Sequence, residues 1–260
     1  MDKIPPEILR RIPPLLDHSD VSHLMRAGSR RLYCISGEYL YANIHFNLPA
    51  SEIGPQHTPH SGRRYHGRAM LELLSDVGPR GTLEHPALWV RHISFTWPMF
   101  PSDIYTETCS LLVKLLSLAF FLRSLELRGP SPPAWPGLLS DAGSSPQFAP
   151  RLVAVKSNDV VDITSLATGR RLESIYIPSW LSQQQHHVLM CAISHNSAAM
   201  AQLQLWLKAD NIQDILTAFR ALSAHFPKLS VLCVQFDLGL GWTERPLSWN
   251  TLNVSHRESR

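Results

Sequence analysis

The sequence predicts an α/β protein in which a short helical segment precedes a repeated series of strand and helix units. Three observations lead to this prediction. Residues 4–46 carry apolar side chains at helical spacing. From residue 68 onward, short runs of strand type alternate with helical or turn-like stretches. Of the 260 residues, 44% are hydrophobic and 17% are charged, which is the balance of a chain that buries a core.

The N-terminal segment, residues 1–46, is predicted to contain three short helices. Its apolar residues form three stripes, namely Ile8, Leu9, Ile12, Leu15 and Leu16, then Val21, Leu24 and Met25, and finally Leu32, Ile35, Tyr39, Leu40 and Ile44. Ser19 or Asp20 suits the N-cap of the second helix because a short polar side chain can accept a hydrogen bond from the first turn.

One proline pair lies just before the first apolar stripe, and a second pair lies within it. Pro5 and Pro6 suit the first turn of a helix, where the backbone N–H groups have no partner within the helix. Pro13 and Pro14 follow only one or two turns later. Because an interior proline removes a hydrogen bond and clashes with the preceding turn, we expect the first helix to bend or end there.

Two segments lack apolar periodicity. Residues 47–67 are rich in Pro, Gly, Ser and His and are predicted to form a linker or exposed loop. His57, His60 and His66 are conceivable metal ligands, but their spacing fits no closed site, so a solvated loop is favoured and no metal is expected. Residues 237–260 form a C-terminal tail with the stretch LGLGWTERPLSW, which we expect to cover the edge of the sheet.

The segment 68–236 contains six strand-type runs of the form apolar-x-x-apolar-x-apolar or close to it. They read VRHISF, LRSLEL, LVAVKS, LESIYI, LQLWL and LSVLCVQF, and they align on Ile93, Leu125, Val155, Ile175, Leu203 and Leu232. The aligned positions are 32, 30, 20, 28 and 29 residues apart. Since one strand-helix unit cannot bury its own apolar face, the units must stack, and right-handed crossovers place the strands in one parallel sheet.

This spacing resembles that of leucine-rich repeats, which recur about every 20 to 29 residues, with two longer members here. The resemblance implies an irregular leucine-rich-repeat solenoid over residues 68–236. A doubly wound α/β sheet is the alternative. The lead-ins HPALW, FAPRL and FPKL place an apolar residue three positions before a strand, and they favour the solenoid.

A spaced set of residues runs through the N-terminal segment. Its members are Ile4, Pro5, Pro6, Glu7, Ile8, Leu9, Ile12, Leu16, Asp20, Val21, Leu24, Ser29, Arg30, Arg31, Leu32, Tyr33, Leu40 and Tyr41. The set closely resembles the F-box that opens many fungal F-box proteins with leucine-rich repeats. In that family the first helix docks on the Skp-type adaptor of SCF ubiquitin ligases. The resemblance implies an adaptor-binding surface made of Ile4, Pro5, Ile8, Leu9, Ile12, Leu16, Val21 and Leu24.

The small size of the helical segment agrees with a docking role. Three helices in about 40 residues have too little interior to bury all three stripes. Some apolar surface must therefore meet a partner or, alternatively, pack on the first repeat as the N-terminal cap that solenoids need. We expect a non-catalytic substrate receptor of an SCF-type ligase, and a repeat-based interaction scaffold without ligase recruitment is the alternative.

The side chains that alternate with the buried strand positions predict a target-binding surface. The residue between the last two apolar positions of each run points away from the core. These residues are Ser94, Glu126, Lys156, Tyr176, Gln204 and Cys233, with Trp206 and Gln235 one step further along their strands. Exposed Tyr and Trp are common interface anchors. We expect a protein target to bind Glu126, Lys156, Tyr176, Gln204, Trp206 and Gln235, unless Trp206 lies in the core.

Enzymatic and nucleic-acid signals are weak. The sequence contains no GxGxxG, P-loop, GxSxG or HExxH motif, so neither catalysis nor a cofactor is expected. His187 and Cys191 remain as a possible base and nucleophile, without a third orienting group. A net charge of +3 and scattered arginine pairs do not indicate nucleic-acid binding. Without a signal peptide, an apolar membrane span or a CxxC pair, a cytoplasmic or nuclear protein is expected.

Overall fold

A computed structural model of the protein places seven parallel strands in one sheet, in the order in which they occur in the chain. The structure describes residues 5–26, 29–47, 66–76, 85–97, 104–143, 145–209 and 212–237. The strands are β1 (Asn43–Asn47), β2 (His92–Thr96), β3 (Ser124–Arg128), β4 (Ala154–Ser157), β5 (Ser174–Leu181), β6 (Gln202–Lys208) and β7 (Val231–Asp237). The predicted α/β class and parallel sheet are confirmed.

The α-helices of the described residues fall into an N-terminal group and a group that connects the strands. They are α1 (Pro6–Leu9), α2 (His18–Arg26), α3 (Arg30–Tyr41), α4 (His66–Ser75), α5 (Ile104–Leu118), α6 (Trp135–Gly143), α7 (Val160–Ala167), α8 (Gln183–Ile193) and α9 (Ile212–His225). From α4 onward, the described residues place one α-helix between each two consecutive strands. The strand order does not reverse, as it would in the doubly wound sheet that was the alternative.

The six aligned positions of the sequence units are direct neighbours in the sheet. The pairing runs from Ile44 through Ile93, Leu125, Val155, Ile175 and Leu203 to Leu232. All but Leu232 are buried, and they share one core with apolar residues of the connecting helices, including Leu112, Leu139 and Leu189. The helices therefore cover this face of the sheet.

Strand β1 corrects the boundary between the helical segment and the sheet. The apolar spacing predicts that the helical segment extends to residue 46, with Ile44 in the third stripe. Instead, α3 ends at Tyr41, and Ile44 pairs with Ile93 of β2. Ile44 and Phe46 are buried while the residues between and beside them are exposed, which is the alternation of a strand. The spacing from Leu40 to Ile44 fits both a helix and a strand, so it misled the assignment.

The break in the first helix follows the prolines as predicted. Helix α1 ends at Leu9, and a short 3-10 helix begins at Pro13. The predicted N-cap of α2 is wrong by two or three residues. Helix α2 already begins at His18, and the carboxylate of Asp17 accepts a hydrogen bond from Asp20 N at 2.8 Å.

Most of the predicted linker and tail lies outside the described residues. Of residues 47–67, the structure places Asn47 at the end of β1 and residues 66–67 at the start of α4, so His57 and His60 are not described. Of residues 237–260, it places only Asp237, the last residue of β7. The loop prediction is therefore wrong at Asn47 and at residues 66–67, and it remains a prediction for residues 48–65, as does the prediction that the tail covers a sheet edge.

A close contact joins the N-terminal helices to the sheet. Helix α3 packs on the short 3-10 helix Pro86–Trp89, which leads into β2. The buried indole of Trp89 contacts the rings of Tyr33 (centroids 5.1 Å apart) and Tyr41 (6.2 Å). A Cβ atom at Gly37 would lie 2.2–2.6 Å from the indole, so only glycine allows this approach.

Buried aromatic side chains connect the first strands to the helices behind them. The ring centroids of Phe46 and Phe95 are 5.8 Å apart, those of Phe95 and Trp97 4.7 Å, and those of Trp97 and Trp135 5.1 Å. Trp135 Nε1 then donates to the buried carboxylate of Asp162 at 2.8 Å. Burial raises the pKa of Asp162 to about 6. Edge-to-face aromatic pairs such as Phe95–Trp97 and Trp97–Trp135 stabilise a core beyond the area that they bury.

We predict that Gly37→Ala destabilises the protein because the new methyl group clashes with the indole of Trp89. The clash should cost about 2 kcal/mol of unfolding free energy, as over-packed cores do. Gly137→Ala is the matched control, since nothing lies within 4 Å of a Cβ at that position of α6. It should stabilise by about 0.5–1 kcal/mol through helix propensity. Thermal unfolding measures both. Equal melting temperatures of the two variants would contradict the contact between α3 and Trp89.

Candidate functional site

The face of the sheet opposite the helices carries one residue of each strand from β2 to β7 in a single row. Its members, in order of pairing, are Ser94, Glu126, Lys156, Tyr176, Gln204 and Cys233, and we call them the open-face row. Ser94 is buried by its neighbours, and the others are half-buried. The predicted register of the row is confirmed, and its role in target binding stays a prediction.

Glu126 is the centre of a polar cluster at one end of the row. Its carboxylate accepts hydrogen bonds from Arg128 Nη2 at 2.8 Å and Ser94 Oγ at 3.1 Å, and Lys156 Nζ lies 2.6 Å away. Burial by itself raises the pKa of Glu126, but the hydrogen bonds from Arg128, Lys156 and Ser94 outweigh it, and the pKa falls to about 2. One anion and two cations meet here, so the cluster presents a net positive charge.

Aromatic side chains continue the surface from β5 to β6. The ammonium group of Lys156 lies over the ring of Tyr176, 4.7 Å from its centroid. Trp206 and Trp180 have ring centroids 5.3 Å apart. Trp206 is half-buried, whereas Leu205 and Leu207 on either side of it belong to the core. Trp206 therefore lies on the open face, and the alternative that it is a core residue is wrong.

The remaining predicted target residue extends the aromatic end of the row. Gln235 on β7 is exposed and pairs directly with Trp206. With Gln204 it places two side-chain amides beside the two indoles. Amides of this kind can donate and accept hydrogen bonds, so this end of the sheet combines apolar area with polar specificity.

Two residues of this surface were not predicted from the sequence. Trp180 is 38% exposed and lies beside Trp206 because β5 contains an irregularity between Ile177 and Trp180. An inserted pair of residues has no pattern from which its position could be inferred. Arg128 lies two residues after Glu126 on the same strand, and the alternation of strand side chains would have placed it on the same face.

The structure distributes the predicted adaptor-binding residues over three environments. Ile4 lies outside the described residues, Pro5 and Ile8 are exposed, Ile12, Leu16 and Leu24 are half-buried, and Leu9 and Val21 are buried. The exposed fraction is 55% for Ile8, against 2% for Leu9 and 0% for Val21. The resemblance implies that all eight residues contact the adaptor, but the described ones differ in how far they are exposed.

The positions of Leu9 and Val21 correct the predicted surface. Leu9 packs with Leu32, Ile35 and Ile12 in a small core of the N-terminal helices. A side chain that is already buried within the chain cannot also contact an adaptor in this conformation. On α1, Leu9 therefore packs in the core of the N-terminal helices, whereas Ile8 is exposed to solvent.

Exposed apolar side chains concentrate just beyond α1. Leu15 is 82% exposed, and Pro14 beside it is exposed as well. The 3-10 helix that starts at Pro13 turns these side chains outward, whereas a continued α-helix would have placed Leu15 in the apolar stripe. We call Pro5, Ile8, Pro14 and Leu15 the N-terminal apolar surface.

A groove of about 530 Å³ lies between α8 and α9. Its lining includes the apolar residues Leu181, Met190, Leu207 and Phe236. Cys191 Sγ lies 3.7 Å from His187 Nε2 at the groove, so the structure brings the possible nucleophile and base together. In the described part of the chain, no group of three or more His, Cys, Asp or Glu side chains is arranged to hold a metal ion.

No protein-family model matches the chain, and no curated protein matches its sequence significantly. Within the described residues, every helix is too short or too polar to cross a membrane.

We predict that the Glu126 cluster contributes stability that depends on pH. The pKa of Glu126 is about 2 in the folded protein and about 4.5 in the unfolded chain, so the ionised carboxylate favours folding. Its contribution should be fully present above pH 5 and should be lost as the pH falls toward 2. Chemical unfolding of wild type and Glu126→Gln should differ by about 1 kcal/mol at pH 7.

Glu173→Gln is the control for this experiment, because Glu173 is exposed and has no ion pair within the described residues. Its effect at pH 7 should be small. A difference between wild type and Glu126→Gln that stays constant from pH 7 to pH 2 would contradict the ionic role of the cluster.

Proposed function

We propose that this protein is a non-catalytic substrate receptor of an SCF-type ubiquitin ligase. The N-terminal helices bind a Skp-type adaptor, and the open-face row with Trp206 and Gln235 binds a protein target. The fold that we propose is an F-box followed by an irregular leucine-rich-repeat solenoid. The consecutive order of the parallel strands and the single layer of helices support this fold.

The observation that carries the proposal is the presence of two separate apolar surfaces on one continuous fold. The N-terminal apolar surface and the aromatic end of the open-face row are distinct, and the contact of Gly37 with Trp89 ties the N-terminal helices to the sheet. A receptor of this type performs no chemistry. It raises the effective concentration of its target near a ubiquitin-loaded enzyme, which requires two binding surfaces held at a fixed separation.

Exposure of the N-terminal apolar surface supports adaptor binding. Ile8 and Leu15 are more exposed than the other large apolar residues of the described chain. Single exposed apolar residues are common, so the observation that favours an interaction site is that Pro5, Ile8, Pro14 and Leu15 lie close together in the chain. They coincide with the segment that resembles the F-box, and this coincidence gives the resemblance physical support.

A repeat-based scaffold that does not recruit an adaptor is the second candidate. The packing of α3 on Trp89 favours it, because the N-terminal helices already cap the first unit of the sheet. Both candidates use the open-face row for target binding. They differ only in whether the N-terminal apolar surface has a partner.

We predict that Ile8→Asp and Leu15→Asp each reduce capture of a fungal Skp-type adaptor by at least about tenfold. Each substitution would place a charge without a partner in an apolar interface. Because both side chains are exposed, the melting temperature should change little. Pull-down with the purified full chain and the adaptor measures the effect.

Leu216→Asp on α9 is the matched control, since Leu216 is an exposed apolar residue remote in sequence from the N-terminal apolar surface. It should leave adaptor capture intact. No capture by wild type would favour the scaffold, and full capture by both N-terminal variants would refute docking through this surface.

We predict that Tyr176→Ala and Trp206→Ala remove the same target from the proteins that co-purify with the full chain. Truncation of central aromatic anchors typically costs about 2 kcal/mol or more of binding free energy. Adaptor capture should be unaffected. Quantitative mass spectrometry of the co-purified proteins, with Val188→Ala on α8 as an exposed control, tests this expectation. A fall of several degrees in melting temperature for Trp206→Ala would instead mean that the indole mainly stabilises the fold and does not anchor a target.

A further inference from the structure

Arginine and phenylalanine side chains gather at the edge of the sheet where the strands begin. Arg91 and Arg123 directly precede β2 and β3, and Arg123 N donates a hydrogen bond to Arg91 O at 2.8 Å. Arg151 lies three residues before β4. Together with Phe120 and Phe121, which follow α5, these residues form what we call the arginine cluster.

The phenylalanine rings position the guanidinium groups. Arg151 Cζ lies 4.5 Å from the ring centroid of Phe121 and 5.1 Å from that of Phe120. Arg91 Cζ lies 4.7 Å from the centroid of Phe121. A guanidinium over an aromatic face keeps the N–H groups at its edge available for hydrogen bonds. Phe120 is 43% exposed, so the cluster also presents apolar area.

None of the three arginines forms an ion pair with a carboxylate among the described residues. Arg91 Nη1 donates to the backbone carbonyls of Leu88 (2.7 Å) and Val90 (3.4 Å), and no hydrogen bond joins Arg123 or Arg151 side chains to the described chain. Burial lowers the pKa of Arg91, Glu38 raises it, and the charges of Arg123 and Arg151 lower it further. The cations therefore repel one another across this edge.

Negative charges within the protein balance only part of the positive charge of the arginine cluster. The C-terminal end of α5 contributes a partial negative charge of about half a unit. The carboxylate of Glu38 influences Arg91, but it also lies 3.8 Å from Arg10. These contributions cannot balance the charge of three guanidinium groups, so an anion bound here would be stabilised.

We propose that the arginine cluster binds an acidic peptide segment of a partner protein, with carboxylates on Arg123 and Arg151 and an apolar side chain on Phe120. Arginine pairs with carboxylates through two parallel hydrogen bonds. Carboxylates at positions i and i+2 of an extended segment are about 7 Å apart, and neighbouring strands are about 5 Å apart, so such a segment can reach two adjacent strands.

The binding surface is separate from the open-face row of the proposed function. Arg91 and Arg123 share the side-chain parity of the buried residues Ile93 and Leu125, so they lie on the helix side of the sheet, away from the open-face row. A protein segment fits better than nucleic acid, because the cluster is compact and the chain carries a net charge of only +3.

The test uses the full chain and a fluorescein-labelled peptide of sequence GELEELEG, with GQLQQLQG as the uncharged control. Fluorescence anisotropy measures the dissociation constant. Arg123→Ala with Arg151→Ala should weaken binding of the acidic peptide about tenfold, since two exposed ion pairs together contribute about 1.4 kcal/mol. Arg220→Ala with Lys228→Ala removes the same charge from exposed positions elsewhere and should change the affinity less than about twofold.

A second variant tests whether binding depends on the positions of the arginines or only on their charge. Phe121→Leu keeps every charge but removes the aromatic face beneath Arg91 and Arg151, so it should weaken binding several-fold. Equal affinity of wild type and the double arginine variant would overturn the proposal. An equal loss in the Arg220 and Lys228 control would also overturn it, as would tighter binding of a single-stranded oligonucleotide of the same charge.

Discussion

The common register of the parallel strands is the constraint on which both faces of this protein depend. Alternate side chains of each strand enter the core, and the residues between them form the open face. A slip of one residue in β3 or β4 would bury Glu126 or Lys156 and expose a leucine or valine. The burial of apolar side chains against the helices therefore also aligns the polar and aromatic residues of the open-face row.

The contact between Gly37 and Trp89 fixes the N-terminal helices against the sheet. A three-helix segment of this length has a small core of its own, formed around Leu9, Leu32 and Ile35. Its attachment to the 3-10 helix before β2 supplies the additional burial that it needs. The N-terminal apolar surface is thereby held in a defined position relative to the sheet, while Ile8 and Leu15 remain exposed.

The sequence determined the strand register better than it determined which residues are exposed. Leu125, Val155 and Ile175 could be aligned because apolar alternation is a local pattern with a period of two. Strand β1 was missed because Ile44 also fits the helical spacing. Burial of Leu9 could not be predicted, because a stripe of apolar residues shows that a face is covered and does not show what covers it. The position of Trp180 depends on an irregular pairing that leaves no periodic signal.

The consecutive order of the strands also determines where the sheet opens most easily. Each unit is stabilised mainly by its sequence neighbours, so an end unit can detach without disrupting the rest. Strand β7 has only β6 beside it among the described strands, and its inward residues Leu232, Val234 and Phe236 are incompletely buried. Its amide hydrogens should therefore exchange with solvent sooner than those of β3. A ligand that contacts both Trp206 and Gln235 would hold β7 against β6 and slow this local opening. Binding at the open face would therefore slow the exchange of amide hydrogens in β7 in particular.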